Sequence, residues 1–187
     1  MRVEFQKTGE RRYAVIVLRN GLPNLEMDPA PGFDPLMPHD LLHFLVEQEL
    51  ELRKGIFGQI AVGGTAVTFH NKPSEKSNNR ADSRLRRKET KRGEKLLKTG
   101  LDDCAQSERA TYISLYEWLS QSSEAKLRAR GVEMKMNADS ILAQMSETER
   151  ATLKTKLAAI TAKMDELSGR WAGLRVNQSM TLEWLLK

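Results

Sequence analysis

The sequence predicts an α+β fold in which an N-terminal sheet is rejoined by a strand near the C-terminus. Three observations carry this. The first 20 residues alternate apolar and polar around two turn signals. The second half holds an apolar stripe at helical spacing, Leu153, Leu157, Ile160, Met164, Leu167 and Trp171. The closing "VNQSMTLEWLLK" alternates again, with Met180, Leu182 and Trp184 against Thr181 and Glu183. The expected arrangement is an antiparallel or mixed sheet with helices on one face.

Val3 and Phe5 alternate with Arg2, Glu4 and Gln6, and "KTGERR" is a turn before the β-branched run Tyr13 to Leu18. Asn20-Gly21 is a second turn signal, and "LPNLEM" reads as a short third strand or a loop. Asp28 to Pro38 carries four of the six prolines and reads as a stiff, irregular connection. A helix is expected from His39 to Lys54, with Pro38 in its first turn and Gly55 at its C′ position. The glycine-rich "GIFGQIAVGGTAVTF" reads as a tight turn or short helix, then a strand from Thr65 to Phe69.

Asn71 to Lys98 holds eleven Lys/Arg and four acids, a local charge of +7. The whole chain is +5, so the remainder is −2 and the basic character belongs to one segment. The segment has almost no apolar stripe and reads as a basic flexible insertion over 71–100. Beyond it, Ser107 is a plausible helix N-cap, and Asn137 could cap a short helix through Met145. Ser146 and Glu149 form a capping box that opens a long helix. The parts are therefore 1–70, with meander, helix and strand, the insertion, and a helical region 101–187 that returns to the sheet, within one domain overall.

The composition excludes several functions. Cys104 is the only cysteine, so there is no intramolecular disulfide and no thiolate metal cluster. Its neighbours Asp102 and Asp103 would raise a thiol pKa, which argues against a reactive thiolate. No apolar run reaches the roughly 20 residues of a membrane span, and the start lacks an apolar signal region. A cytoplasmic location is the expectation. Neither a nucleophile elbow nor a phosphate-binding glycine loop is present.

Two features remain. The first is "PHDLLHFLVE". At about 100° per residue, His39, His43, Glu47, Asp40 and Glu51 fall within about 120° of one another, opposite the apolar face. An i, i+4 histidine pair can chelate a divalent, zinc-like ion, and Glu47 could be a third ligand or an acceptor that fixes a ring tautomer. His70 could complete the set, and Asp40 is the acid/base candidate. The competing reading is the solvated face of an amphipathic helix, or a cap at its start. His39 to His43 also has the form H-D-x-x-H, near the H-E-x-x-H of zinc peptidases. The shorter acid, the first-turn placement and the lack of a clear distant third ligand argue against that assignment.

The second feature is the basic run. Arg80, Arg84, Arg86, Arg87, Lys88, Lys91 and Arg92 could neutralise phosphates without reading sequence, or meet an acidic protein or a membrane surface. No aromatic residue lies among them to stack on bases. The apolar stripe over 153–171 could pack internally or form a homodimer. From sequence, a non-enzymatic interaction module is favoured, with a metal-binding protein or metal-dependent hydrolase at His39, His43 and Glu47 as the alternative; no cofactor is certain.

Pro38, His39, Asp40, His43, Phe44, Glu47, Gly55, Phe57 and Gly58 carry a further likeness. The segment resembles one shared by small uncharacterised bacterial proteins, P-H-D-x-x-H-F-x-V-E followed by G-x-[FW]-G. The likeness covers about the first 70 and the last 17 residues, and the basic middle departs from it. The resemblance implies no particular activity.

Overall fold

The computed structural model describes residues 1–66, 68–71 and 80–186, and within 80–99 the side chains of 87, 88 and 91–99. The N-terminal alternation forms a hairpin, β1 (Arg2–Gly9) and β2 (Arg12–Leu18). Its register sets Val3 opposite Val17 and Phe5 opposite Val15, and all four are fully buried. β3 (Leu25–Ala30) continues the meander, and β5 (Ser179–Glu183) pairs antiparallel with β1 on the other side. With β4 (His70–Asn71) the order is β4-β3-β2-β1-β5. The sheet and the helices make the predicted α+β fold, and β5 gives the predicted return.

The helices are α1 (His39–Glu49), α2 (Ile56–Ala61), α3 (Arg80–Thr99), α4 (Leu101–Ser120), α5 (Ala125–Gln144) and α6 (Glu147–Ala172). Phe44 of α1 meets Phe5 of β1 edge to face at 6.0 Å, and Trp171 of α6 meets Tyr13 of β2 at 5.8 Å. Such pairs seat both helices on the sheet. α4 then packs across α1 and α6. The α6 capping box forms as its sequence indicates. Among its stripe residues, Leu153, Ile160, Met164, Leu167 and Trp171 are buried within the single chain. Those side chains are spent on the internal core, which removes the basis for a dimer along 153–171.

Several boundaries differ from the sequence expectation. β3 reaches into the proline-rich connection and includes Pro29. α1 stops at Glu49 rather than Lys54. Glu51 takes a left-handed φ of 55°, Leu52 N–H donates to the Glu47 carbonyl at 2.9 Å, and Glu51 N–H to that of Gln48 at 3.4 Å. This is a Schellman closure with glutamate at the position glycine usually fills. Leu50 and Leu52 are buried on either side of it. Their burial offsets a left-handed cost of about 1–2 kcal/mol. Gly55 is consequently the N-cap of α2, not the C′ residue of α1.

Thr65 to Phe69 is not a strand among the described residues. Phe69 N–H donates to the Thr65 carbonyl at 3.1 Å, and this turn carries the Phe69 ring into the core near Phe57. α4 begins at Leu101, so Ser107 lies inside the helix rather than at its cap. α5 runs unbroken through Asn137. The 71–100 insertion is helical from Arg80 to Thr99, while 72–79 lie outside the described residues.

Candidate metal centre

α1 places His39, His43 and Glu47 on one row at i, i+4 and i+8. Past its exposed first member, His39, the row does not face water. α4 lies over it, and His43 and Glu47 are 4 % and 0 % exposed, so they belong to a buried polar seam. The facing row on α4 is Ser107, Glu108 and Thr111.

Glu47 anchors the seam. Its Oε1 accepts the Ile56 N–H at 2.9 Å and its Oε2 the Phe57 N–H at 2.9 Å, so it caps α2 from a neighbouring helix. A Cβ on Gly55 would lie 2.4 Å from the Glu47 Cδ, and glycine is what admits the carboxylate there. Ser107 Oγ–H donates to Glu47 Oε1 at 3.0 Å. Burial raises the Glu47 pKa and the backbone, imidazole and hydroxyl neighbours oppose it, leaving it pushed up to about 7.

The Ser107 proton is committed to Glu47, so its oxygen accepts from His43 Nδ1–H at 2.8 Å. That bond selects the tautomer of His43 and leaves the Nε2 lone pair pointing the other way. Nε2 of His43 lies 3.2 Å from Nε2 of His39 and 3.6 Å from a Glu108 carboxylate oxygen. Donor atoms of His39, His43 and Glu108 all fall within 4.8 Å of one another. Partial burial, then the facing His43, lowers the His39 pKa. Two imidazole nitrogens about 3 Å apart beside an ionised carboxylate match the donor spacing around one tetrahedral or octahedral ion.

The remaining candidates have other places. Asp40 is bound by the Tyr13 hydroxyl, which also reaches the Pro31 carbonyl at 2.5 Å. Burial raises the Asp40 pKa, and burial with the Asp40 charge raises that of Tyr13. Glu47 meets the imidazole through Ser107 and lies outside the close group of donor atoms formed by His39, His43 and Glu108. His70 is exposed on the short edge strand beside Glu26 and is not brought to the other histidines. Arg87, Lys88, Lys91 and Arg92 are exposed on α3, and the side chains of Arg80, Arg84 and Arg86 lie outside the described residues. The Cys104 thiol is pushed up to about 11, by burial first and then by Glu47 and Asp103.

Sequence reasoning missed Ser107, Glu108 and Thr111. A signal for two of them exists: Ser107, Thr111 and Ser114 recur at i, i+4 and i+7 beside buried Ala110 and Ile113. Small hydroxyls on an otherwise buried stripe indicate that another polar row faces them. Glu108, an exposed acid in a helix, carries no such mark.

No family model matches this chain, and neither a curated protein nor a solved structure shows significant similarity to it. The chemistry therefore rests on the geometry alone.

Proposed function

We propose that this protein binds one divalent transition-metal ion through His39 Nε2, His43 Nε2 and the Glu108 carboxylate. The observation that supports it most is the relay Glu47–Ser107–His43, which fixes one tautomer and aims a bare nitrogen at the other two donors. Such outer partners orient histidine ligands in metal sites. A set of two nitrogens and one oxygen suits zinc, iron, cobalt or nickel better than magnesium or calcium. Three protein ligands leave coordination positions for water or a small molecule. An ion-bound water is the nucleophile of metal-dependent hydrolysis, and Asp40 is the acid/base candidate of that chemistry. A cytoplasmic location belongs to the same proposal.

The test is metal analysis of untagged protein after loading with zinc or cobalt and removal of excess ion. One ion per chain is expected. His39→Ala and Glu108→Ala should each lower the affinity at least tenfold, since each removes a ligand. Equal, sub-stoichiometric metal in all three proteins overturns the reading.

A second reading has its own observation. α3 is a continuous helix whose Arg87, Lys88, Lys91 and Arg92 stand exposed. Such a row can meet a polyanion, nucleic acid first among them, through phosphate contacts. A titration against duplex DNA at several salt concentrations checks it. Affinity that falls steeply with salt supports it, and affinity indifferent to salt rules it out.

A further inference from the structure

Beside the histidine pair lies a cleft of about 270 Å³ whose lining includes His39 and Glu108, two of the three proposed ligands. The rest of its wall is mainly apolar, with Phe33, Met37, Leu42, Tyr112 and Leu115. Its other carboxylate, Asp34, is already engaged. It is ion-paired with Arg130 at 2.7 Å and accepts the N–H groups of Leu36 and Met37 at 2.8 and 3.1 Å. The lining contains no lysine or arginine. An anionic head group entering here would therefore be neutralised by the ion, not by a basic side chain.

The charge balance calls for a monoanionic head group. Two neutral imidazoles and one carboxylate leave a divalent ion with a net charge of +1, which one monoanion cancels. The volume limits the body. At roughly 30 Å³ per water-sized group, the cleft takes about nine such groups. It lies just under the roughly 300–1,000 Å³ of sites for drug-sized ligands.

We propose that the cleft binds a short aliphatic monocarboxylate, with its carboxylate on the ion held by His39, His43 and Glu108 and its chain along Phe33, Met37, Tyr112 and Leu115. The assignment rests on the metal reading above and adds a ligand class to it. Gly32 supports the geometry. Its φ is +70°, a Cβ there would stand 2.6 Å from the His39 Cβ, and its carbonyl accepts the His39 N–H at 3.1 Å. The turn that forms one wall of the cleft thus also seats the first histidine.

The experiment uses the full chain loaded with Co²⁺, whose visible absorption reports a change of ligand. Acetate, butyrate, hexanoate, decanoate and hexan-1-ol are titrated in turn. Each buried methylene should tighten binding roughly fourfold. Hexanoate should therefore shift the cobalt band with at least tenfold higher affinity than acetate. Decanoate should gain little more, because the cleft is full, and hexan-1-ol should bind at least tenfold more weakly than hexanoate. Leu115→Trp should abolish the chain-length preference while leaving Co²⁺ affinity within threefold of wild type.

The outcomes separate the two readings. Absence of Co²⁺ uptake by the wild type removes the metal centre and this ligand with it. Normal Co²⁺ uptake with acetate equal to hexanoate, or with hexan-1-ol equal to hexanoate, overturns the ligand alone. Survival of the chain-length preference in Leu115→Trp also overturns it. The decanoate plateau tests the cleft without any variant, should that substitution fail to fold.

Discussion

α1 and α3 both crowd ionisable residues onto the helix surface, yet one polar row is largely buried and the other is in water. On α1 the row His39, His43 and Glu47 is flanked by Leu41, Leu42, Phe44, Leu45 and Val46, all buried. Apolar residues nearly surround the polar stripe, so α4 can close over His43 and Glu47 and bury them, while His39 stays at the exposed end. On α3, Arg87, Lys88, Lys91 and Arg92 are exposed. A polar residue becomes chemically specified when its surroundings force it out of water. The enclosed row has acquired a hydrogen-bond partner for nearly every donor, and the exposed row keeps its solvent.

The largest effect should come from breaking the enclosed row at its anchor. Glu47→Ala strands the amides of Ile56 and Phe57 and the Ser107 hydroxyl, and it also leaves a cavity. A loss of about 3–5 kcal/mol is expected from urea unfolding. A value under about 1 kcal/mol would show the seam to be dispensable.

The same residue gives the row a pH dependence. Its folded pKa, pushed up to about 7, stands above the ordinary carboxyl value of 4.5. A carboxyl raised in this way contributes stability that is complete below its unfolded pKa and is lost as pH rises through the folded one. From about pH 5 to about pH 8, with a chelator present, wild type should lose stability relative to Glu47→Gln by on the order of 3 kcal/mol. Parallel profiles for the two proteins would contradict this.

Next in size is Gly55→Ala, which drives a methyl into the Glu47 carboxylate. It should cost about 1–3 kcal/mol as an overpacking defect. In the Glu47→Ala background most of that cost should vanish, since contacting sites are non-additive. Additive behaviour would place the strain elsewhere. The smallest effect belongs to the exposed helix. Arg87→Ala with Lys91→Ala should leave unfolding within about 0.5 kcal/mol of wild type. A larger change would mean that the basic face carries structural weight after all.

How much of this could be read from residues follows the same division. The hairpin, the return of β5 and the α6 cap were legible because each is written locally, in alternation or in the Ser146/Glu149 pair. The end of α1 was hidden because a glutamate occupies the left-handed position and distant burial of Leu52 holds it there. The facing of His39 and His43 was visible, but the burial of His43 was not, since a helical wheel does not show what lies on its polar side. Ser107 looked like a cap because Ser-Glu-Arg resembles a helix start, and Asp102 and Asp103 at the true start were read only as neighbours of Cys104. Glu108 could be paired with the histidines only once α4 was laid across α1.

The central claim is that the relay through Ser107 prepares His43 to hold an ion with His39 and Glu108. The most direct measurement is isothermal titration of Zn²⁺ into untagged, chelator-stripped protein, alongside Ser107→Ala and Glu108→Ala. The account predicts one site per chain in the wild type, about 10–100-fold weaker binding in Ser107→Ala, and a similar or greater loss in Glu108→Ala. No uptake by the wild type, or equal affinity in all three, would contradict it.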